Sequence, residues 1–204
     1  MAFDMGARHF AWAIGDLEDS SGNLLGIRSF ECKDFGSSTP AFSTVVQYLD
    51  TLQVDGVNVI LIEQQMNHVN AIASRLAVVV YMYFFLRHPG KTVSEYPARW
   101  KTMEYGITKV PKHKRKQWVV SYVRENVCRD DPVVLDLLEG YPKKDDICDC
   151  IMMIHSYGLR SSRKTSRIKD VASETQYLSE DADPSHREAQ NLLDPFQKDD
   201  HLEE

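Results

Sequence analysis

The chain has 204 residues, 43% of them hydrophobic, and a formal net charge of −6. That length and apolar content suit one domain of ordinary size with a sizeable core. The longest apolar run, residues 76–86, is too short for a bilayer, which takes about 20 residues, and no basic region followed by an apolar stretch opens the chain as a secretory signal would. No membrane association is expected. Cys32, Cys128, Cys148 and Cys150 have neither disulfide-framework nor zinc spacing and read as reduced thiols of an intracellular protein.

In chain order, "MAFD" reads as a short strand ended by a turn at Met5-Gly6. "HFAWAIGDL" and "NLLGIRSFEC" alternate as strands and are joined by the loop "EDSSGN", which predicts a three-stranded meander. "TPAFSTVVQYLDTL" enters through Thr-Pro and has helical spacing at Phe42, Val45, Val46 and Leu49. "VNVILIE" is a continuous apolar run, as a buried central strand requires. "NAIASRLAVVVYMYFFLRH" is too long for a strand and predicts a hydrophobic helix stopped by Pro89-Gly90. "KTVSEY" predicts a last strand, "KHKRKQWVVSYVREN" a basic amphipathic helix, and "KKDDICDCIMMIHSYG" the start of a helix apolar on nearly every side. The order β-β-β-α-β-α-β-α-α implies a mixed sheet covered by helices.

The charge is segregated along the chain. From Arg99 to Arg129 nine basic residues stand against two acids, and Arg160 to Lys169 adds five more. Asp170 to Glu204 then holds eleven acids against Arg187 and Lys198, so the acidic excess belongs to a tail whose low hydrophobicity predicts disorder. A basic middle is the footprint of a polyanion binder, although such runs are more often solvated faces.

Four acids occupy unusual places. Asp4 ends the first strand, and Glu63 ends the apolar strand where it breaks into "EQQMNH". Each alone reads as an acid marking a strand's exit into solvent. An aspartate at a helix start, Asp145 or Asp146, caps free N–H groups. Asp149 lies one turn further in, on the same side as Asp146, and a carboxylate in apolar surroundings is costly unless compensated. On that segment alone a solvent-facing pair and a metal site are equally good readings. If strands one and four are neighbours and the last helix packs across them, all four carboxylates meet. Hard oxygen ligands of this kind suit Mg²⁺ or Mn²⁺, and two such ions about 4 Å apart would clamp both oxygens of a phosphodiester displacement.

"AFDMG", "LIEQQ" and "DDICD", in this order and on these elements, resemble the RuvC-like Holliday junction resolvases of the ribonuclease H superfold, above all the poxvirus-type enzymes of large DNA viruses. "VSEYPARWK", Gly106 and "KHKRKQWVV" are similar to the stretch that leads such enzymes from the last strand into a DNA-contacting helix. The resemblance implies a ribonuclease H-like α/β fold, with a mixed five-stranded sheet flanked by helices over residues 1–159; the charged tail 160–204 lies outside it. It implies two Mg²⁺ ions, with Mn²⁺ as a substitute, held by Asp4, Glu63, Asp146 and Asp149 as catalytic ligands. Branched DNA would lie against Arg99, Lys101, Lys112, Lys114, Arg115 and Lys116. The activity implied is crossover junction endodeoxyribonuclease, a hydrolase of DNA recombination and repair, with a homodimer formed through the Asn70–His88 helix. A viral member would act at a cytoplasmic replication site. The alternatives are another nuclease of the superfold, such as one cutting RNA–DNA hybrids, and a non-catalytic binder of branched nucleic acid. Two departures stand out: only three residues precede Asp4, so the first strand is short or the native chain starts upstream, and the tail after Gly158 matches no known pattern.

Overall fold

The computed structural model describes residues 1–180 except 7, 20 and 66–69, with side chains through 166. The chain divides into two units, Met1–Ser162 and Arg163–Glu204. Five strands lie in the first: β1 (Ala2–Met5), β2 (His9–Leu17), β3 (Leu24–Asp34), β4 (Val59–Glu63) and β5 (Thr92–Tyr96). The helices are α1 (Phe42–Leu49), α2 (Ala71–Arg87), α3 (Trp100–Met103), α4 (Lys112–Tyr122), α5 (Pro132–Glu139) and α6 (Lys144–Glu180).

The strands form one mixed sheet in the order β3-β2-β1-β4-β5, antiparallel across β1, β2 and β3 and parallel from β1 through β4 to β5. This is the expected five-stranded sheet flanked by helices. The side-chain period of two assigns its faces. Phe3, Met5, Phe10, Ile60 and Ile62 point to one side and pack against Leu49 of α1 and Leu76, Val80 and Phe84 of α2. Ala2, Ala11, Ala13 and Leu61 point to the other, against Val119 of α4, Leu138 of α5 and Ile147, Ile151 and Met152 of α6. The alanines keep this second face low, so that α6 can lie close over the centre of the sheet. Gly158 helps to fix that helix. A Cβ there would stand 2.0 Å from the Gly22 carbonyl oxygen, so only glycine lets α6 meet the β2–β3 turn.

Four features differ from the sequence reading. Residues 100–103 form the short helix α3, and residues 132–139 form α5, entered through Asp131, which accepts from the Val134 N–H, and Pro132. The basic helix is regular only to Tyr122; Val123–Val127 continues it as a π turn, closed by Cys128 N–H donating to the Val123 carbonyl at 2.8 Å. The last helix, whose start was expected over residues 143–158, continues through part of the segment read as a disordered tail, to Glu180. Residues 181–204 of the acidic tail lie outside the described residues.

Candidate active site

The sheet alternation that buries Phe3 and Ile62 on one face turns Asp4 and Glu63 to the other. The parallel register pairs Ala2 with Leu61 and Phe3 with Ile62, so its continuation sets Asp4 beside Glu63 at the C-terminal ends of two adjacent strands. Over them passes the start of α6, whose Ile147, Cys148, Cys150, Ile151 and Met152 are fully buried. Asp146 and Asp149 share the side of that helix which faces the strand ends. All four acids line one cleft of ≈ 380 Å³, together with Lys101, Lys112, Arg115, Lys116, Gln64, Gln65 and Asn70. The four acids expected to meet thus share the lining of one cleft.

The two aspartates of α6 raise the question of what compensates them, and the answer is a pair of lysines from distant elements. Lys101 of α3 is 6% exposed, and its Nζ lies 2.9 Å from Glu63 Oε1 and 3.1 Å from Asp149 Oδ2. Lys116 of α4 lies 2.6 Å from Asp145 Oδ2 and 3.3 Å from Asp146 Oδ1. Among the described residues no buried side-chain nitrogen or oxygen lacks a partner.

Electrostatics follow from this packing. Burial, then the adjacent Glu63 charge, pushes the Asp4 carboxyl well above its ordinary value, and Asp4 donates a hydrogen bond to Glu63. Burial also works against ionisation of Glu63, but the Lys101 ammonium outweighs it and holds that carboxyl low. At Asp149 burial outweighs Lys101 and the carboxyl is raised. Burial alone would lower Lys101, yet Asp149, Glu63 and Asp4 more than reverse it and the ammonium is held charged. Burial is likewise overcome at Lys116 by the hydrogen bond to Asp145 and the charge of Asp146.

Two of the expected DNA contacts need correction. Lys101 is not offered to a phosphate backbone; it is buried between two carboxylates. Lys116 is partly buried and already committed to Asp145 and Asp146. The reason for the first is topological. β5 runs parallel to β4 with Tyr96 opposite Glu63, so the chain leaving β5 emerges beside Glu63. Pro97 then starts a turn into α3, with Trp100 N–H donating to the Pro97 carbonyl at 2.9 Å, which drops Lys101 into the cleft. Arg99, Lys112 and Lys114 are exposed, and Arg115 is half-buried on the wall of the cleft.

Does this donor set suit divalent ions? Four carboxylates in one cleft are hard oxygen donors, and the buried Lys101 between Glu63 and Asp149 answers their surplus negative charge. The chemistry fits. Among the described residues no three His, Cys, Asp or Glu side chains are yet set around one point, and Lys101 stands between two of the acids.

No known protein-family profile matches the chain. Among curated proteins, the uncharacterized protein 97L of Invertebrate iridescent virus 3 is 35% identical over 98 residues, 48% of this chain. The match spans only 46% of that protein's length. Among solved structures, Fowlpox virus resolvase in complex with substrate Holliday junction DNA superposes with a TM-score of 0.58 at 17% identity, covering 76% of this chain and 93% of that one. Thermus thermophilus RuvC gives 0.57 at 16% identity, covering 80% and 95%. The yeast mitochondrial Holliday junction resolvase gives 0.50 at 13% identity, covering 81% and 83%. The chain thus has the ribonuclease H-like fold of the poxvirus and bacterial RuvC-type Holliday junction resolvases.

Proposed function

We propose that this protein is a metal-dependent, structure-specific endodeoxyribonuclease that resolves four-way and related branched DNA junctions, leaving 5′-phosphate ends. The observation that carries this reading is the convergence of Asp4, Glu63, Asp146 and Asp149 in one cleft whose wall also holds Lys112 and Arg115. The shared fold with enzymes solved on Holliday junction DNA supports the choice of substrate.

Asp4, Glu63, Asp146 and Asp149 would hold two Mg²⁺ ions, with Mn²⁺ as a substitute. Ions bound there would supply a water made nucleophilic near neutral pH and a counter-charge for the departing 3′-oxygen. The carboxylates serve as ligands, not nucleophiles. The raised Asp4 carboxyl binds a cation only in its ionised form, which burial and Glu63 disfavour. The Arg115 guanidinium, on the cleft wall, suits a bidentate grip on the phosphate under attack. Lys112 and Lys114, exposed on α4, and Arg99 beside α3 hold flanking phosphates and position the substrate without reading its sequence.

A four-way junction has near two-fold symmetry, so paired cuts call for two clefts. The dimer is proposed to form through α2. One side of this helix enters the core with Leu76, Val80 and Phe84, while Val78, Met82, Phe85 and Leu86 are large apolar side chains left exposed. A patch of that kind on a charged protein is suited to an interface.

The test compares cleavage of a labelled immobile four-way junction, a linear duplex of the same sequence and an RNA–DNA hybrid in Mg²⁺. Preferential, paired cutting of the junction is expected. Preferential cutting of the hybrid would transfer the site to the hybrid nuclease alternative, and metal-independent binding with no cutting would leave a non-catalytic binder.

A further inference from the structure

The buried ammonium of Lys101 lies where the proposed ligands Glu63 and Asp149 would need a cation, at 2.9 and 3.1 Å from their oxygens. We propose that Lys101 is an internal counter-ion that competes with the divalent ion, so that loading the site is an exchange of one cation for another. This rests on the metal-site reading above and adds how the cluster survives without metal.

Glu63, Asp149 and Asp4 are brought together by two strands and a helix that the fold cannot separate. Their mutual repulsion in a poorly solvated cleft needs a positive charge whether or not metal is present. A lysine suits a temporary role because its charge sits at the end of a flexible four-carbon stem. Its backbone, by contrast, is anchored. Trp100, next in the chain, packs edge-on against Tyr96 with ring centroids 5.4 Å apart, and the Arg160 guanidinium lies 4.0 Å over its ring. Arg160 also pairs with Glu104 at 2.6 Å, just beyond α3. The short helix is therefore anchored, and the exchange requires only the Lys101 side chain to move. An ammonium can donate to both oxygens, yet it brings one charge where a divalent ion brings two, so the ion wins once it is abundant.

The experiment measures Mn²⁺ binding, by loss of the free-ion paramagnetic resonance signal, to the full-length wild type, Lys101→Met and Lys112→Met without DNA. Removing the competitor should tighten Mn²⁺ binding to Lys101→Met by at least about tenfold. Lys112→Met, which removes an exposed cation from the same cleft, should change it far less. Equal or weaker binding by Lys101→Met, or an equal gain in both variants, overturns the proposal. Absence of Mn²⁺ binding by all three proteins would instead overturn the metal-site reading itself. If Lys101→Met folds only when Mg²⁺ is present, the counter-ion role is supported directly. If it folds under neither condition, the wild type decides: acylation of Lys101, followed by mass spectrometry, should be slow in EDTA and faster in saturating Mg²⁺. Unchanged protection would overturn the exchange.

Discussion

Asp4 carries a cost that its neighbours do not remove. Its carboxyl is raised by burial and by Glu63, so the folded state holds its proton to higher pH than the unfolded chain does. For a raised acid the stabilising contribution is present below the unfolded value and is lost as pH rises through the folded one. Each unit of elevation costs about 1.4 kcal/mol in that window. Asp4→Asn should therefore raise the melting temperature in EDTA at pH 7, by about 2–4 °C for every kcal/mol relieved, and the gain should shrink toward pH 4. A lower melting temperature for Asp4→Asn, measured by calorimetry, would mean that the carboxylate is compensated by groups other than those described. Because the same proton must leave before Asp4 can bind a cation, Mg²⁺ affinity should rise with pH. At this scale the acids were readable from residue order: Asp4 lies near the end of a short apolar strand, Glu63 closes another, and Asp146 and Asp149 are spaced for one helix side. Lys101 was not readable in the same way. A lysine in "PARWK" looks like any surface cation until the parallel register brings it back across 38 positions to Glu63.

Among the elements, α4 divides its cations between two tasks. Lys116 reaches α6 and pairs with Asp145 and Asp146, whereas Lys112 and Lys114 point to solvent. Neutralising Lys112 and Lys114 together should weaken junction binding and lower the log–log salt slope by about 0.9 for each phosphate that is no longer neutralised. The melting temperature should stay unchanged or rise, since cations in a helix's first turn oppose its dipole. An unaltered slope in a salt titration would mean that these lysines face away from DNA. Neutralising Lys116 belongs to a different experiment. Its partly exposed pair is worth about 0–1 kcal/mol to the fold, so any binding defect there mixes two effects. The helix α2 makes the second prediction at this scale. Phe85→Arg places a charge on its exposed apolar side and should convert a wild-type dimer into a folded monomer in sedimentation. A monomeric wild type would remove the proposed interface. The elements missing from the sequence reading were the short ones. α5 did carry a start signal in Asp131-Pro132, but eight residues with exposed Val133 and Leu137 give a weak periodic pattern. The π turn leaves no mark in composition, and a charged segment after Gly158 gave no reason to extend α6.

At the scale of the whole molecule, the meander and the two parallel additions place β1 and β4 side by side at the centre of the sheet, and α6 across them. The strand count and the mixed sheet followed from alternation and from the single continuous apolar run. The adjacency of β1 and β4 was a condition set on the site, and the parallel pairing meets it. What residue order did not contain was how the cluster is balanced, because the cations come from segments whose position depends on the completed sheet. The proposed function stands or falls on whether these four carboxylates cut branched DNA through bound divalent ions. Asp149→Asn is the sharpest probe, since Asp149 lies deepest in the buried helix and has no role as a cap. The measurement is single-turnover cleavage of a synthetic immobile junction in Mg²⁺, with binding followed in parallel in Ca²⁺. Paired cuts are expected from the wild type. In Asp149→Asn cutting should fall by at least about 10³-fold with binding retained, the scale on which electrostatic transition-state stabilisation is lost. Cutting by Asp149→Asn at the wild-type rate would refute the proposed site.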